Sequence, residues 1–258
     1  MNPRCPDPVH ETLREILVGS GQIALRHFGG VRAVSKPDGT QVTAADTEVE
    51  RYLVDALQRA FPNDGIVSEE GSRVERSGST WYCDPIDGTS AYVEGLAHWG
   101  PTVCRVTEGV LEVGALYVPR LDEFWYARRG GGAWRNRIRL APGDPGHPSR
   151  HHSLFAPSRF HRVSPVPWPG KVRALGSSAA HLALVGAGAG LVTVIPQWHL
   201  WDVGFGVILM EEAGRRVCDA RGNPVDVIGC QPGLPILAGA PTALELLVDS
   251  GWTTSVLR

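Results

Sequence analysis

The stretch that decides the fold runs from Trp81 to Ser90 and reads WYCDPIDGTS. It starts as a short apolar strand and continues through Asp84 and Asp87 to a glycine and a hydroxyl residue. Pro85 fixes its own φ and holds the preceding residue in an extended conformation, which predicts a sharp exit from the strand. After that exit, both carboxylates and the Ile86 carbonyl can converge on one point.

The ligand atoms that this stretch offers are all oxygens. Carboxylate and carbonyl oxygens with no Cys or His ligand pattern beside them suit a hard cation such as Mg²⁺. Beyond the turn, Gly88 lets backbone amides approach an anion closely, and a helix beginning near Thr89 would add its positive end. An ordinary β-turn is the alternative interpretation, because Asp, Pro and Gly are common turn residues.

The composition is that of an ordinary globular protein. The 258 residues are 43% hydrophobic and 20% charged, and the formal net charge of -2 gives no electrostatic reason to expect nucleic acid or an anionic membrane as a partner. No apolar run is long enough to span a bilayer, and the N-terminus has no signal-peptide core. The five cysteines are dispersed without a CxxC pair, so neither a disulfide framework nor a zinc knuckle is indicated. We therefore expect a soluble cytoplasmic protein.

Two earlier segments add acidic residues at the edges of predicted elements. Thr43 and Asp46 form a capping-box pattern at the start of a helix, so Asp46 taken alone is a first-turn carboxylate that complements the helix dipole. Residues 66–68 form a predicted strand, which Glu69 and Glu70 follow. Because side chains alternate along an extended chain, one of these two acids can point into a cleft.

Three consecutive apolar segments predict a mostly antiparallel sheet. They span residues 102–106, 113–118 and 123–127. Downstream, the alternating Arg135, Arg137 and Arg139 would place three positive charges on one strand face. We expect that face to be solvated, with a second anionic group on a substrate as the alternative partner.

Residues 141–170 are rich in Pro, Ser and His, which predicts a joint between two halves of the chain. The predicted halves span residues 1–141 and 142–258. The adjacent His151 and His152 are only a weak metal signal, because no other soft ligand has a helpful spacing.

A second informative stretch, residues 201–214, reads WDVGFGVILMEEAG. Asp202 is the predicted N-cap of a helix, and Gly214 is its predicted stop. Gly204 and Gly206 each weaken a helix interior by roughly 0.5–1 kcal/mol. Their presence predicts that another element packs tightly against this helix.

Acidic residues from four separated sites thus lie at the edges of predicted elements: Asp46, Glu69, Asp84 with Asp87, and Asp202. Each has a structural explanation of its own, and a two-metal phosphoryl-transfer site is the explanation that they share. In such a site, carboxylates bridge Mg²⁺ ions about 3.5–4 Å apart and clamp both the attacking and the leaving oxygens.

With these motifs the chain resembles the inositol monophosphatase family, part of the lithium-sensitive, magnesium-dependent phosphomonoesterases. DPIDGT at residues 84–89 matches the family's first signature, D-P-[IL]-D-G-T, and the Trp-Asp and Glu-Ala-Gly within residues 201–214 match its C-terminal signature. Lys36-x-Asp38-Gly39, the segment of residues 42–46 and Glu69 with its neighbour also occur in the family's order. The resemblance covers almost the whole chain.

The resemblance implies a metal site with two or three Mg²⁺ ions. Glu69, Asp84 and the Ile86 carbonyl would hold the first ion, which activates the attacking water. Asp84, Asp87 and Asp202 would hold the second ion, which stabilises the leaving oxygen.

The resemblance also implies roles in handling water and phosphate. Asp46 and Thr89 would orient and deprotonate the nucleophilic water, with a third, weaker ion on Glu69. The amides of Gly88 and Thr89 would receive the phosphate. Water would attack directly, without a phospho-enzyme.

The family fold is a layered α-β-α-β-α sandwich, so the expected class is α/β (α+β), and a homodimer is the expected assembly. The N-terminal half would carry most metal ligands, and the C-terminal half would add Asp202 and the substrate pocket. Ser177, Gln197 and His199, together with the Asp87 of the metal site, are the predicted substrate-binding residues.

One departure from the family concerns Ile195, which stands where an acid commonly contacts substrate hydroxyls. An apolar side chain cannot accept a hydrogen bond from a polyol, so strong selectivity for inositol phosphate is not expected.

The predicted function is Mg²⁺-dependent hydrolysis of a small phosphate monoester, similar to inositol-1-phosphate or a related cyclitol or sugar phosphate. The alternatives with the same metal site are a histidinol-phosphate phosphatase and a 3′(2′),5′-bisphosphate nucleotidase. A non-catalytic, metal-dependent binding protein is the alternative from another class. The presence of Asp46 and Thr89 argues against it, because pure binding has no need of a water-activating pair.

Overall fold

The computed structural model describes residues 5, 7–30, 33–35, 41–143, 145–160, 165–229 and 234–253. The Lys36–Gly39 part of the family pattern lies outside these residues. Within the described ranges the helices are α1 (Pro8–His27), α2 (Ala44–Ala60), α3 (Thr89–Val93), α4 (Ser178–Gly186), α5 (Leu200–Glu212) and α6 (Pro241–Asp249). None of the helices so described combines the length and the apolar character that crossing a membrane requires.

Two large sheets follow one another along the chain. The first, mostly antiparallel sheet contains β3 (Gly65–Ser68), β4 (Arg73–Val74), β5 (Thr80–Asp87), β6 (Gly100–Thr107), β7 (Val110–Val118), β8 (Glu123–Arg128), β9 (Gly132–Arg135) and β10 (Ile138–Arg139), in the order 10-9-8-7-6-5-3-4. The second contains β11 (Ser153–Phe155), β12 (Lys171–Arg173), β13 (Val192–Ile195), β14 (Arg216–Asp219) and β15 (Ile236–Gly239), in the order 12-11-13-15-14. A short hairpin, β1 (Val34–Ser35) with β2 (Gln41–Val42), precedes both sheets.

Helices and sheets alternate in five layers. Helices α1 and α2 pack on one face of the first sheet, and α5 packs on the other face of that sheet. The pair α4 and α5 lies between the two sheets, and α6 packs on the outer face of the second sheet. The predicted α-β-α-β-α sandwich is therefore confirmed.

The alternation of side chains along β5 sets which layer each residue faces. Trp81 and Cys83 are buried against α1 and α2, whereas Tyr82 between them packs toward α5. Asp84 follows in this alternation and faces the same layer as Tyr82. The acid is thus directed toward the N-terminal end of α5, which carries Asp202.

A β-bulge in β5 brings the two aspartates of the first signature to one side of the sheet. Asp84 pairs with Thr102 and Asp87 pairs with Gly100, so three steps along β5 match two steps along β6. In a regular strand an odd spacing would put the two aspartates on opposite faces, and the extra residue of the bulge corrects this. The prediction that the chain leaves the strand sharply at Pro85 is wrong, because the strand continues to Asp87 through a register shift.

The structure also corrects the predicted arginine face. The segment turns back at residues 136–137, where Asn136 has a φ of 53°, and β9 and β10 form a hairpin. Arg135 is paired with Glu123 and lies 5.1 Å from the ring centroid of Trp125. The three arginines therefore do not line one face of a single strand, and the charge of Arg135 is already matched by a carboxylate.

Helix α5 begins earlier than predicted. Its N-cap is His199, and Asp202 occupies the third helical position, where Oδ2 accepts the His199 N–H at 2.5 Å. The prediction that Asp202 is the N-cap is wrong by three residues. The predicted tight packing is confirmed, because a Cβ on Gly204 would lie 2.3 Å from the Cys104 sulfur and one on Gly206 would lie 2.3 Å from Leu182.

The predicted joint at residues 141–170 contains a strand that the composition did not show. β11 lies inside it, buried, and pairs in parallel with both β12 and β13. The first sheet ends before residue 141 and the second begins after residue 142, although α5 packs on both sheets.

Candidate active site

Three acidic side chains converge at one edge of the first sheet. Glu69 directly follows β3, and its N–H donates to the Cys83 carbonyl at 3.0 Å, so the parallel pairing of β3 with β5 sets Glu69 beside Asp84. Helix α5 crosses the same sheet and contributes Asp202 from its first turn. Carboxylate oxygens of Glu69, Asp84 and Asp202 all lie within 4.8 Å of one another.

Burial and the repulsion of neighbouring carboxylates disfavour ionisation of Asp84 and Asp87. Burial raises the pKa of Asp84 well above its usual range, and the charges of Glu69, Asp87 and Asp202 raise it further. Burial also raises the pKa of Asp87 to about 7, against the lowering effect of a hydrogen bond from Ser177. A cation among these oxygens would remove the repulsion, and the oxygen-only donor set fits a hard divalent ion such as Mg²⁺.

Asp87 is held by residues at the start of α4. Its Oδ2 accepts the hydroxyl of Ser177 and the N–H of Ala179, the latter at 3.0 Å. Ser177 is 1% exposed, and its Oγ also accepts the Ala180 N–H at 3.0 Å as the N-cap of α4. The contacts of Ser177 are therefore those of a side chain that positions Asp87.

Asp46 and Thr89 have separate hydrogen-bond partners. Asp46 is 1% exposed, and its Oδ2 accepts the Thr43 N–H at 2.8 Å and the Thr43 hydroxyl at 2.7 Å, so the predicted capping box is confirmed. Burial raises the pKa of Asp46 to about 6, and the charge of Glu70 adds to this effect. The Thr89 hydroxyl donates to the Ile86 carbonyl at 3.2 Å.

The turn after β5 is shaped by Gly88. This residue has a φ of 90°, and a Cβ built on it would lie 2.9 Å from the Cβ of Ser177, so only glycine fits without strain. The helix that follows, α3, has five residues. A macrodipole needs a longer helix to develop, so any anion here would be held by the backbone amides of Gly88 and Thr89 themselves.

A cavity of about 570 Å³ opens over the carboxylates. Its walls include the predicted residues Glu69, Asp84, Asp87, Gly88, Thr89 and Asp202. Sequence reasoning missed the remaining wall residues, which are Gln41, Ser90, Ser158, Arg159, Gly176 and Ser178. Ser158 and Arg159 closely follow β11, and recognising that strand was the signal that could have placed them.

The predicted substrate residues lie in different places. Gln197 and His199 are exposed and are outside the set of residues that line the cavity, whereas Ser177 is buried behind Asp87. Ile195 is 3% exposed and lies in the core between the two sheets. Ile195 therefore does not line the cavity, and the contacts with the leaving group must come from the residues of the cavity wall.

Comparison with known proteins decides the family. Residues 6–250 match the sequence profile described as the inositol monophosphatase family. The chain belongs to the inositol monophosphatase family. The resemblance predicted from residues 84–89 and 201–214 is thereby confirmed, and the chain is a phosphatase of this class.

The names of proteins similar to this inositol monophosphatase family member refer to more than one substrate. A fructose-1,6-bisphosphatase/inositol-1-monophosphatase of Thermotoga maritima is 33% identical over 217 residues, which are 79% of this chain and 81% of the relative. A histidinol-phosphatase of Chlorobaculum parvum is 30% identical over 220 residues, 81% of this chain and 85% of the relative. Among solved structures, an IMPase of Thermotoga maritima superposes with a TM-score of 0.83 at 27% identity, covering 96% of this chain and 97% of that one.

Proposed function

We propose that this protein hydrolyses a small phosphate monoester in a Mg²⁺-dependent reaction, by direct attack of water. The observation that carries the proposal is the convergence of the Glu69, Asp84 and Asp202 carboxylates within 4.8 Å at the wall of an open cavity. Carboxylates at such distances repel one another unless a cation lies among them, and their oxygen ligands suit Mg²⁺.

The proposed ligands divide between two or three ions. Glu69, Asp84 and the Ile86 carbonyl hold one ion, and Asp84, Asp87 and Asp202 hold another, with a weaker third ion on Glu69. When bound, Mg²⁺ supplies Lewis-acid polarisation of the phosphoryl group and increases the acidity of water.

The protein's own groups orient the water and the phosphate. We assign Asp46 as the proton acceptor and Thr89 as its partner in orienting the water. A carboxyl pKa raised to about 6 supports this role, because a general base works best near the pH of the reaction. The amides of Gly88 and Thr89 receive the phosphate, since both residues line the cavity.

The proposed substrate is similar to inositol-1-phosphate or is a related cyclitol or sugar phosphate. The name of the Thermotoga maritima relative, which covers a sugar bisphosphate and inositol-1-phosphate, supports this class. Histidinol phosphate is the second candidate, which the name of the Chlorobaculum parvum relative favours. A 3′(2′),5′-bisphosphate nucleotide stays an alternative predicted from sequence. Asp87, Ser177, Gln197 and His199 are the substrate residues proposed from sequence; of these, the cavity wall supports Asp87 alone as a direct contact.

Three further statements stay predictions: the division of the chain between residues 141 and 142, the homodimer, and the cytoplasmic location. The boundary is supported by the position of the two sheets along the chain. The formal net charge of -2 supports a small-molecule partner over nucleic acid or an anionic membrane.

The experiment that tests the function is phosphate release from four compounds, each with and without Mg²⁺. The compounds are inositol-1-phosphate, histidinol phosphate, fructose-1,6-bisphosphate and 3′-phosphoadenosine 5′-phosphate. We expect magnesium-dependent turnover of at least one of them. No turnover of any compound, by a folded protein that still binds Mg²⁺, would favour the metal-dependent binding protein instead.

A further inference from the structure

Arg159 differs in charge from the other described residues that line the cavity. The wall contains the four carboxylates of Glu69, Asp84, Asp87 and Asp202, and Arg159 is the single cationic side chain among the described wall residues. The remaining wall residues are neutral. The part of the wall that the described residues form thus has one strongly acidic region, where we place the metal ions, and one point of positive charge.

The backbone that carries Arg159 is anchored on both sides. Ala156 is fully buried, and its N–H donates to the Arg173 carbonyl at 2.8 Å. Phe160 is 8% exposed, its N–H donates to the Pro157 carbonyl at 3.0 Å, and its ring packs 5.8 Å from that of Trp252. The loop therefore presents the arginine from a fixed position.

The guanidinium of Arg159 has no ion-pair or hydrogen-bond partner among the residues that the structure describes. Within the described ranges no carboxylate forms an ion pair with it, although it shares a cavity with four of them. Arg105, Arg128 and Arg135 are all paired with carboxylates. A surface arginine is normally solvated, but Arg159 lines the same cavity as Gly88 and Thr89, the proposed phosphate-binding residues, and is available to a ligand there.

We propose that Arg159 selects substrates that carry a second phosphate group on the leaving-group side. This inference rests on the function proposed above. A guanidinium binds a phosphate through two parallel hydrogen bonds, which are strong because both partners are charged. The preferred class is therefore a sugar bisphosphate or nucleoside bisphosphate. Arg159 disfavours a leaving group with an ammonium, such as that of histidinol phosphate.

The test compares substrates that differ only in the second phosphate. One pair is adenosine 3′,5′-bisphosphate and adenosine 3′-monophosphate, and the other is fructose 1,6-bisphosphate and fructose 1-phosphate. For the wild type we expect a higher kcat/KM for the bisphosphate in at least one pair, through a lower KM. The pair that shows the preference identifies whether a nucleoside or a sugar carries the second phosphate.

Substitution then assigns that preference to Arg159. Arg159→Gln should reduce the ratio of kcat/KM for bisphosphate over monophosphate by about tenfold or more, and Arg159→Lys should retain part of the preference. Arg150→Gln is the matched control, since Arg150 is exposed and lies outside the cavity wall. A ratio that Arg159→Gln leaves at its wild-type value would overturn the inference, as would a wild type with no preference in either pair.

Failure of the proposed function has a different signature. A wild type that hydrolyses neither these two pairs nor inositol-1-phosphate and histidinol phosphate contradicts the function. Since no turnover then occurs, calorimetric binding of the same compounds in Mg²⁺ still tests the inference. Tighter binding of a bisphosphate that Arg159→Gln abolishes would support it, and equal binding of both members of each pair would overturn it.

Discussion

The hydroxyl of Ser177 donates a hydrogen bond to Asp87 Oδ2, and this contact joins the start of α4 to the carboxylate edge of the first sheet. The same Ser177 oxygen accepts the Ala180 N–H at 3.0 Å. One buried side chain therefore both caps a helix and orients a proposed metal ligand.

Two substitutions separate these roles of Ser177. Through the lost N-cap, Ser177→Ala should cost about 1 kcal/mol of stability and Ser177→Gly only a few tenths, because glycine is tolerated at an N-cap. Both remove the hydrogen bond to Asp87, so both should lower kcat/KM by about tenfold and raise the Mg²⁺ concentration for half-maximal rate. Urea unfolding and magnesium titrations of the phosphate-release rate measure the two effects. Wild-type kinetics in Ser177→Gly would show that the contact with Asp87 is not functional.

Gly88→Ala should damage both the fold and the activity. Gly88 and Gly95 have φ values of 90° and 79°, so alanine at either position is strained by about 1–2 kcal/mol. Only the Cβ at Gly88 meets a neighbour, at 2.9 Å from the Cβ of Ser177, whereas the Cβ at Gly95 meets nothing within 4 Å. Gly95→Ala is thus the matched control. A larger loss of unfolding free energy and of turnover is expected for Gly88→Ala, and equal losses would contradict the described packing of the turn.

His181 makes stability depend on pH. It is 3% exposed, its Nε2 accepts the Leu175 N–H at 3.0 Å, and its ring stacks 5.3 Å from that of Phe155. Burial lowers its pKa to about 4, and the charge of His98 adds to this effect. The unfolded chain binds a proton below about pH 6.5, and the folded state does not. The stability that the neutral, buried imidazole of His181 contributes is therefore fully present above pH 6.5, and it is lost as the pH falls toward 4.

His181→Gln should remove this part of the acid sensitivity. The free energy of unfolding should fall between pH 7 and pH 5 by about 2 kcal/mol less in this variant than in the wild type. Acids with raised pKa values, such as Asp46, make the free energy of unfolding change with pH in the opposite direction. These acids are the same in both proteins, so the difference between the two profiles isolates His181. The exposed His151 provides a control, since His151→Gln should keep the wild-type dependence. Parallel pH profiles for His181→Gln and the wild type would contradict the prediction.

The chemistry of the site was more predictable than its geometry. The carboxylate residues of the signatures could be recognised locally, because acids next to Pro and Gly at element ends leave a pattern in the sequence. The bulge between Asp84 and Asp87 could not be recognised, since it arises from the register of β5 with the neighbouring β6. It is nevertheless what directs the two acids to the same side of the sheet.

The wall of the cavity was the part that sequence reasoning missed. Arg159 is brought there by β11, a three-residue strand whose identity depends on pairing with β12 and β13. A Pro- and Ser-rich segment gives no local sign of that long-range pairing. Likewise, the alternating Arg135, Arg137 and Arg139 match a strand pattern, and the turn at residues 136–137 that separates them is a short hairpin connection.

Asp84→Asn tests the metal assignment with little change of shape. Asp84 Oδ1 accepts the Ile86 N–H at 2.8 Å, and the asparagine oxygen can keep this bond. Asp226→Asn is the matched control, because exposed Asp226 likewise accepts the N–H two residues on, from Ile228 at 3.0 Å, and lies outside the cavity wall. The substitution removes a buried acid that neighbouring carboxylates repel. The unfolding midpoint of Asp84→Asn in EDTA should therefore be at or above that of the wild type.

The most direct measurement is the initial rate of phosphate release as a function of Mg²⁺ concentration for the wild type, Asp84→Asn and Asp226→Asn. The wild type and Asp226→Asn should show the same magnesium-dependent rate. Asp84→Asn should be slower by about 100-fold or more, since it loses several kcal/mol of transition-state stabilisation. Magnesium-dependent turnover by folded Asp84→Asn at a rate close to the wild type would contradict the carboxylate cluster as the catalytic metal site.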